Sequence, residues 1–179
     1  MIVLDLRECG VGHEITPAFW TSCAEAAAVT FERFHSPPPP PHKCTVFNAG
    51  TEAPVELVWA AADSKTRSTH ANELDATEAG AYAVAVATVH ALDGWCVAGR
   101  AHHASGADWL MMKNENAEAF VKLEVSGIAA GVGSAGHARL RSRLTEKIAQ
   151  VRKGDLERPG IAVVVGFELS RVLISEVQP

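Results

Sequence analysis

Apolar positions along the chain alternate between two periods, and the switches mark its elements. Residues 2–6 read as a short strand. From Pro17, one residue after the capping Thr16, the residues Phe19, Cys23, Ala26, Ala27 and Thr30 recur at three- and four-residue steps, and Phe31 and Phe34 close the stripe. This predicts a helix reaching about His35. Five consecutive prolines, 37–41, stop it and read as a stiff polyproline spacer. Residues 44–47 and 55–61 predict a hairpin turning at Asn48-Ala49-Gly50, and 63–72 predict a polar loop. Asp75 and Glu78 have the spacing of a capping box. Behind them Tyr82, Val86 and Val89 form a stripe in a segment apolar around most of its circumference, which predicts a buried helix ending at Asp93-Gly94.

Three strands are expected next, at 95–100, 108–112 and 120–126. The third alternates cleanly, with Val121, Leu123 and Val125 on one face and Lys122, Glu124 and Ser126 on the other. A Gly- and Ala-rich loop, 127–136, leads to a helix over 138–153 whose core stripe is Leu140, Leu144, Ile148 and Val151. Strands at 161–167 and 172–177 complete the chain. The sum is a mixed α/β fold, one domain with a central mixed sheet flanked by helices, in which 1–75 adds a helix and hairpin to a core over 76–179. The two last strands are apolar enough to predict an edge-paired homodimer.

Composition narrows the class. The 179 residues are 47% hydrophobic and 21% charged, which excludes a disordered chain. No apolar run reaches 18 residues, so no membrane span is expected, and Met1 leads straight into Ile2-Val3-Leu4-Asp5 without the pattern of a signal peptide. Cys9, Cys23, Cys44 and Cys96 show no Cys-x-x-Cys spacing and read as free thiols of a cytoplasmic protein. The net charge of −5 is unevenly spread: within 138–153, Arg139, Arg141, Arg143, Lys147, Arg152 and Lys153 stand against Glu146 alone. Arg139, Arg143, Lys147 and Gln150 are the candidates of that segment for binding a phosphate backbone, hence nucleic acid as partner.

Chemistry is suggested by Asp108 at the start of one strand and Glu124 within the next. Two carboxylates on neighbouring strands can hold a hard divalent cation, Mg²⁺ or Mn²⁺, and Glu78 on the preceding helix is a candidate third ligand. The runs Gly106-Ala107-Asp108-Trp109-Leu110 and Lys122-Leu123-Glu124-Val125-Ser126, set in the order helix, three strands, helix, strand, resemble the PD-(D/E)XK, or restriction-endonuclease-like, nuclease superfamily over about 76–168. The resemblance implies metal-dependent phosphodiester hydrolysis in DNA or RNA, with Asp108 and Glu124 as catalytic metal ligands and Glu78 as an auxiliary one. The superfamily's lysine, two residues after the acid, is Ser126 here. Lys122 shares the strand face of Glu124 and is the first candidate to replace it; Lys147 and Gln150 are others. If none does, the chain is expected to be an inactive binding or assembly module of that fold.

Gly131-x-Gly133-x-x-Gly136 matches a dinucleotide fingerprint, but the strand expected to end at Ser126 is too far upstream for the tight turn that motif needs, and too little chain follows it. Its expected role is a loop. The eight histidines show no metal-ligand spacing, and no Ser or Cys nucleophile elbow occurs.

Overall fold

The computed structural model describes residues 2–35, 41–102, 105–113, 116–154 and 158–178, with the backbone alone for 116–119. Its elements are β1 (Ile2–Asp5), α1 (Pro17–Glu32), β2 (His42–Asn48), β3 (Thr51–Val58), α2 (Ser64–Thr69), α3 (Glu73–Asp93), β4 (Trp95–Arg100), β5 (Trp109–Lys113), β6 (Asn116–Ile128), α4 (Gly133–Lys153), β7 (Gly160–Gly166) and β8 (Arg171–Val177). The strands form one eight-stranded mixed sheet in the order β1-β3-β2-β8-β7-β6-β5-β4. β4, β5 and β6 make an antiparallel meander, and α4 crosses over to bring β7 parallel to β6. The fold class expected from the sequence is the one observed. The N-terminal hairpin continues the same sheet, because β2 pairs in parallel with β8.

Helices cover both faces. α1 and α3 pack on one face, over a core that includes Leu4, Val46, Leu57, Trp109, Leu123 and Val163. α4 covers the other, with Leu140 packed with Ile128, Val164 and Leu173, and Val151 packed with Ala162 and Val177. β7 is buried along its whole length, as a strand sandwiched between helix layers must be. Among the described residues no helix is long and apolar enough to cross a membrane.

Several details differ from the sequence reading. β7 and β8 lie inside the sheet, flanked by β6 and β2, so they offer no edge for a second copy; the edges are β1 and β4. The segment 63–72 holds the short helix α2, capped by the Asp63 side chain on Thr66 N. The cap of α3 is Asn72, whose Oδ1 accepts from the amides of Leu74 and Asp75. Asp75 is therefore already inside the first turn, and no Asp75–Glu78 capping box opens the helix. α4 begins at Gly133, so the last four residues of the expected glycine loop are helix. β6 extends to Ile128, closer to that glycine segment than expected. The proline run, apart from Pro41, lies outside the described residues, as does His103.

Two small residues set how closely α3 approaches its neighbours, α1 and the meander. Gly80 of α3 faces the backbone of Ala27 in α1, where a Cβ would meet Ala27 N at 2.8 Å. Gly127 of β6 faces the first turn of α3, where a Cβ would stand 2.5 Å from the Thr77 carbonyl oxygen. Carbonyl backbone cannot yield as a side-chain tip does. Gly127→Ala is expected to push the start of α3 off the sheet and cost about 1–3 kcal/mol, read as a fall in Tm of several degrees. An unchanged Tm would show that α3 is not held by this approach.

Candidate functional site

The alternation of β6 sends Val121, Leu123 and Val125 to the α1–α3 core and Lys122 and Glu124 to the α4 side. The α4 side is not half-exposed. Lys122 is 1% and Glu124 2% exposed, so both charges lie under the helix and need partners there. Lys122 donates from Nζ to the Val151 carbonyl at 3.0 Å, in the last turn of α4, where carbonyls lack intrahelical donors and the helix end favours a cation. Glu124 receives Lys147 of α4: Nζ stands 2.5 Å from Oε1, and the same ammonium lies 3.2 Å from Gln150 Oε1.

Asp108 is fixed by the meander. Its amide donates to the Leu123 carbonyl at 3.0 Å, and its Oδ2 accepts from Val125 N at 2.9 Å, so it spans β6 beside Glu124. Gly106 just before it adopts φ +69° and lies against the Gln150 carbonyl, leaving no room for a Cβ; Gly154 faces Ser105 in the same contact. The loop before β5 is thereby clamped onto the end of α4. The Asp108 carboxylate is close enough to Glu124 to act on its ionisation. Burial, first, and then the neighbouring Asp108 charge push the Glu124 carboxyl up to about 7, while Lys147 pulls it down.

On the other side of Asp108, the Tyr82 hydroxyl of α3 lies 3.1 Å from Oδ1 and 3.2 Å from Glu78 Oε1, sharing its proton between them. Burial, first, and then the Asp108 charge raise the Tyr82 phenol well above its ordinary value, with a hydrogen bond from Arg100 opposing. Arg100, at the end of β4, lays its guanidinium over the Trp109 ring at 3.8 Å, with Tyr82 and Phe19 at 5.3 and 5.5 Å.

The structure thus brings together Asp108, Glu124, Lys147 and Gln150. Glu78 is exposed and reaches Asp108 only through Tyr82. Among the described residues no group of three or more His, Cys, Asp or Glu is arranged to hold a metal ion. Mg²⁺ and Mn²⁺ need fewer protein ligands, one or two carboxylates with waters and substrate oxygens supplying the rest. Asp108 and Glu124 fit that donor set, and the upward push of the Asp108 charge on the Glu124 carboxyl is the charge that a cation would neutralise. Of the other α4 candidates, Arg143 pairs with Glu146 at 3.4 Å, and Arg139 is exposed, with Nη1 3.4 Å from the Ala130 carbonyl. In the glycine segment, the Gly131 amide donates to Glu168 Oε2 at 2.6 Å, so a carboxylate stands where a dinucleotide phosphate would have to sit.

Sequence reasoning missed Tyr82 as more than a core residue and missed Arg100. The available signal was their polar atoms: a buried Tyr seeks a partner for its hydroxyl, and a strand-end Arg beside Trp109 in register invites stacking. Searches against protein-family models, curated proteins and solved structures find no match to this chain.

The raised Glu124 carboxyl has a consequence for stability. In the unfolded chain it ionises near 4.5, in the folded protein near 7. Between these values the native state keeps a proton that the unfolded state has lost, so Glu124 favours folding below about 4.5, and this contribution is lost as pH rises through about 7. Glu124→Gln is expected to remove that slope, so that its Tm gains on wild type from pH 4.5 to 7.5. A parallel pair of Tm-against-pH curves would contradict it.

Proposed function

We propose that the protein is a divalent-metal-dependent nuclease that hydrolyses phosphodiester bonds. The observation that carries the reading is the convergence of the Asp108 and Glu124 carboxylates with the Lys147 ammonium at one end of the sheet. Supporting it is the order α3-β4-β5-β6-α4-β7, with these acids at the strand positions that the PD-(D/E)XK resemblance singles out. Asp108 and Glu124 would hold Mg²⁺ or Mn²⁺. When bound, the cation supplies Lewis-acid polarisation of a phosphoryl oxygen and of water. Asp108 is aimed by the Val125 amide and the Tyr82 hydroxyl, so its position does not depend on the ligand. Lys147 takes the role of the superfamily's lysine: it orients the attacking water and offsets negative charge developing on the phosphate, with Gln150 holding its ammonium. Lys122, the first candidate from the sequence, supports the site by tying β6 to the end of α4.

The second reading, an inactive binding or assembly module of the same fold, is favoured by one observation. The Lys147–Glu124 ion pair already compensates the buried carboxylate without a cation. Thermal melts with Mn²⁺ separate the two. A ligand at a hundredfold excess over Kd stabilises the fold by about 2.7 kcal/mol; an inactive module shows no such rise.

The nuclease reading expects Asp108→Ala and Glu124→Ala to abolish both the Mn²⁺-induced rise in Tm and cleavage of DNA or RNA. Lys147→Met is expected to keep the rise and lose cleavage by at least tenfold, on the order of the effect of one positioned charge. Lys122→Met is expected to lower Tm and retain cleavage per folded molecule. Cleavage that survives Lys147→Met and disappears in a folded Lys122→Met returns the role to Lys122.

A further inference from the structure

Arg100 is held in an unusual way for a charged side chain. Five arginines of the described residues pair with a carboxylate: Arg7 with Asp5, Arg33 with Glu73, Arg67 with Glu32, Arg143 with Glu146 and Arg171 with Glu52. Arg100, though exposed, has no carboxylate partner among the described residues. Its guanidinium lies over a fully buried indole, 3.8 Å from the Trp109 ring centroid, beside the rings of Phe19 and Tyr82, and it hydrogen-bonds the Tyr82 side chain. The cation–π contact uses the face of the guanidinium and Tyr82 takes one donor, which leaves further N–H donors at its edge, pre-oriented with little rotamer freedom left to lose. That geometry matches the paired oxygens of a phosphate.

Its place gives the ligand. Tyr82 contacts both Arg100 and Asp108, so the guanidinium flanks the acid pair on the α1–α3 side of the sheet. Lys147 and Gln150 flank the same pair on the α4 side. A chain of phosphodiesters crossing the sheet end over Asp108 and Glu124 meets Lys147 on one side and Arg100 on the other. We infer that Arg100 is a substrate-binding residue that grips the phosphodiester next to the scissile one, on the α1–α3 side. The ligand class rests on the nuclease reading, but the grip itself requires neither metal nor turnover.

The test is equilibrium binding of a fluorescein-labelled DNA oligonucleotide to the full chain in EDTA, followed by anisotropy over a range of salt. Arg100→Gln is expected to weaken binding about five- to tenfold, the weight of one charge-assisted contact. It should also flatten the slope of log K against log salt by about one. Arg100→Lys keeps the charge and loses the fork, so it should retain the slope and lose about two- to fivefold in affinity. Both variants are expected to melt like wild type. Wild-type binding with an unchanged Arg100→Gln affinity and slope overturns the inference and leaves the nuclease reading standing. A lower Tm with unaltered affinity makes Arg100 a packing residue and likewise overturns it. Absence of any wild-type binding at low salt overturns both.

Discussion

A carboxylate closed between a sheet and a helix must be compensated where it lies, and the organisation of this protein around Glu124 follows from that requirement. At 2% exposure the side chain cannot borrow solvation from water. Lys147 from α4 compensates it, while burial and the charge of Asp108, from a different element, push its carboxyl up to about 7. The Lys147 contact fixes the rotation of α4 over β6. The Asp108 contact fixes the loop before β5, which Gly106 and Gly154 press against the end of the same helix. Removing one partner of a buried ion pair typically costs about 3–5 kcal/mol. A fold that keeps two acids in contact here stores unfavourable charge, and stored electrostatic cost clusters at sites of chemistry.

The two faces of the site are unequal. On the α4 side, charge is met by charge: Lys122 on the Val151 carbonyl and Lys147 on Glu124. On the α1–α3 side, Asp108 is met by a neutral hydroxyl, and the nearby cation rests on aromatic rings. The first arrangement fixes the groups in place, and the second leaves donors free at the rim. Gly127 makes both compatible, because only a residue without a Cβ lets the first turn of α3 come close enough to place Tyr82 beside Asp108.

Much of this was legible in the sequence. The alternation 121–126 put Glu124 and Lys122 on one face, and the strand order put Asp108 next to Glu124, because local period and short connections decide both. The choice between Lys122 and Lys147 was not legible. It depends on how α4 lies over the sheet, and an apolar stripe fixes a helix's face without its rotation to the nearest residue. Tyr82 and Arg100 were hidden for the same reason: the Tyr82–Asp108 contact joins residues 26 apart across two elements. The inner position of β7 and β8 depends on β2 pairing with β8, and no local pattern announces a parallel pairing over so long a separation. Asn72 displaced the expected cap because two equally good capping residues stood within three positions, and the helix took the earlier one.

The proposed function places one cation site at Asp108 and Glu124, beside Lys147. Paramagnetic broadening by substoichiometric Mn²⁺ in NMR spectra of isotopically labelled protein tests it most directly, because broadening falls steeply with distance from the ion. Signals of Asp108, Glu124, Lys147 and Tyr82 are expected to vanish first and together, and Glu124→Gln is expected to restore them. Broadening confined to exposed acids such as Glu146 and Glu176, with these four signals intact, would contradict it.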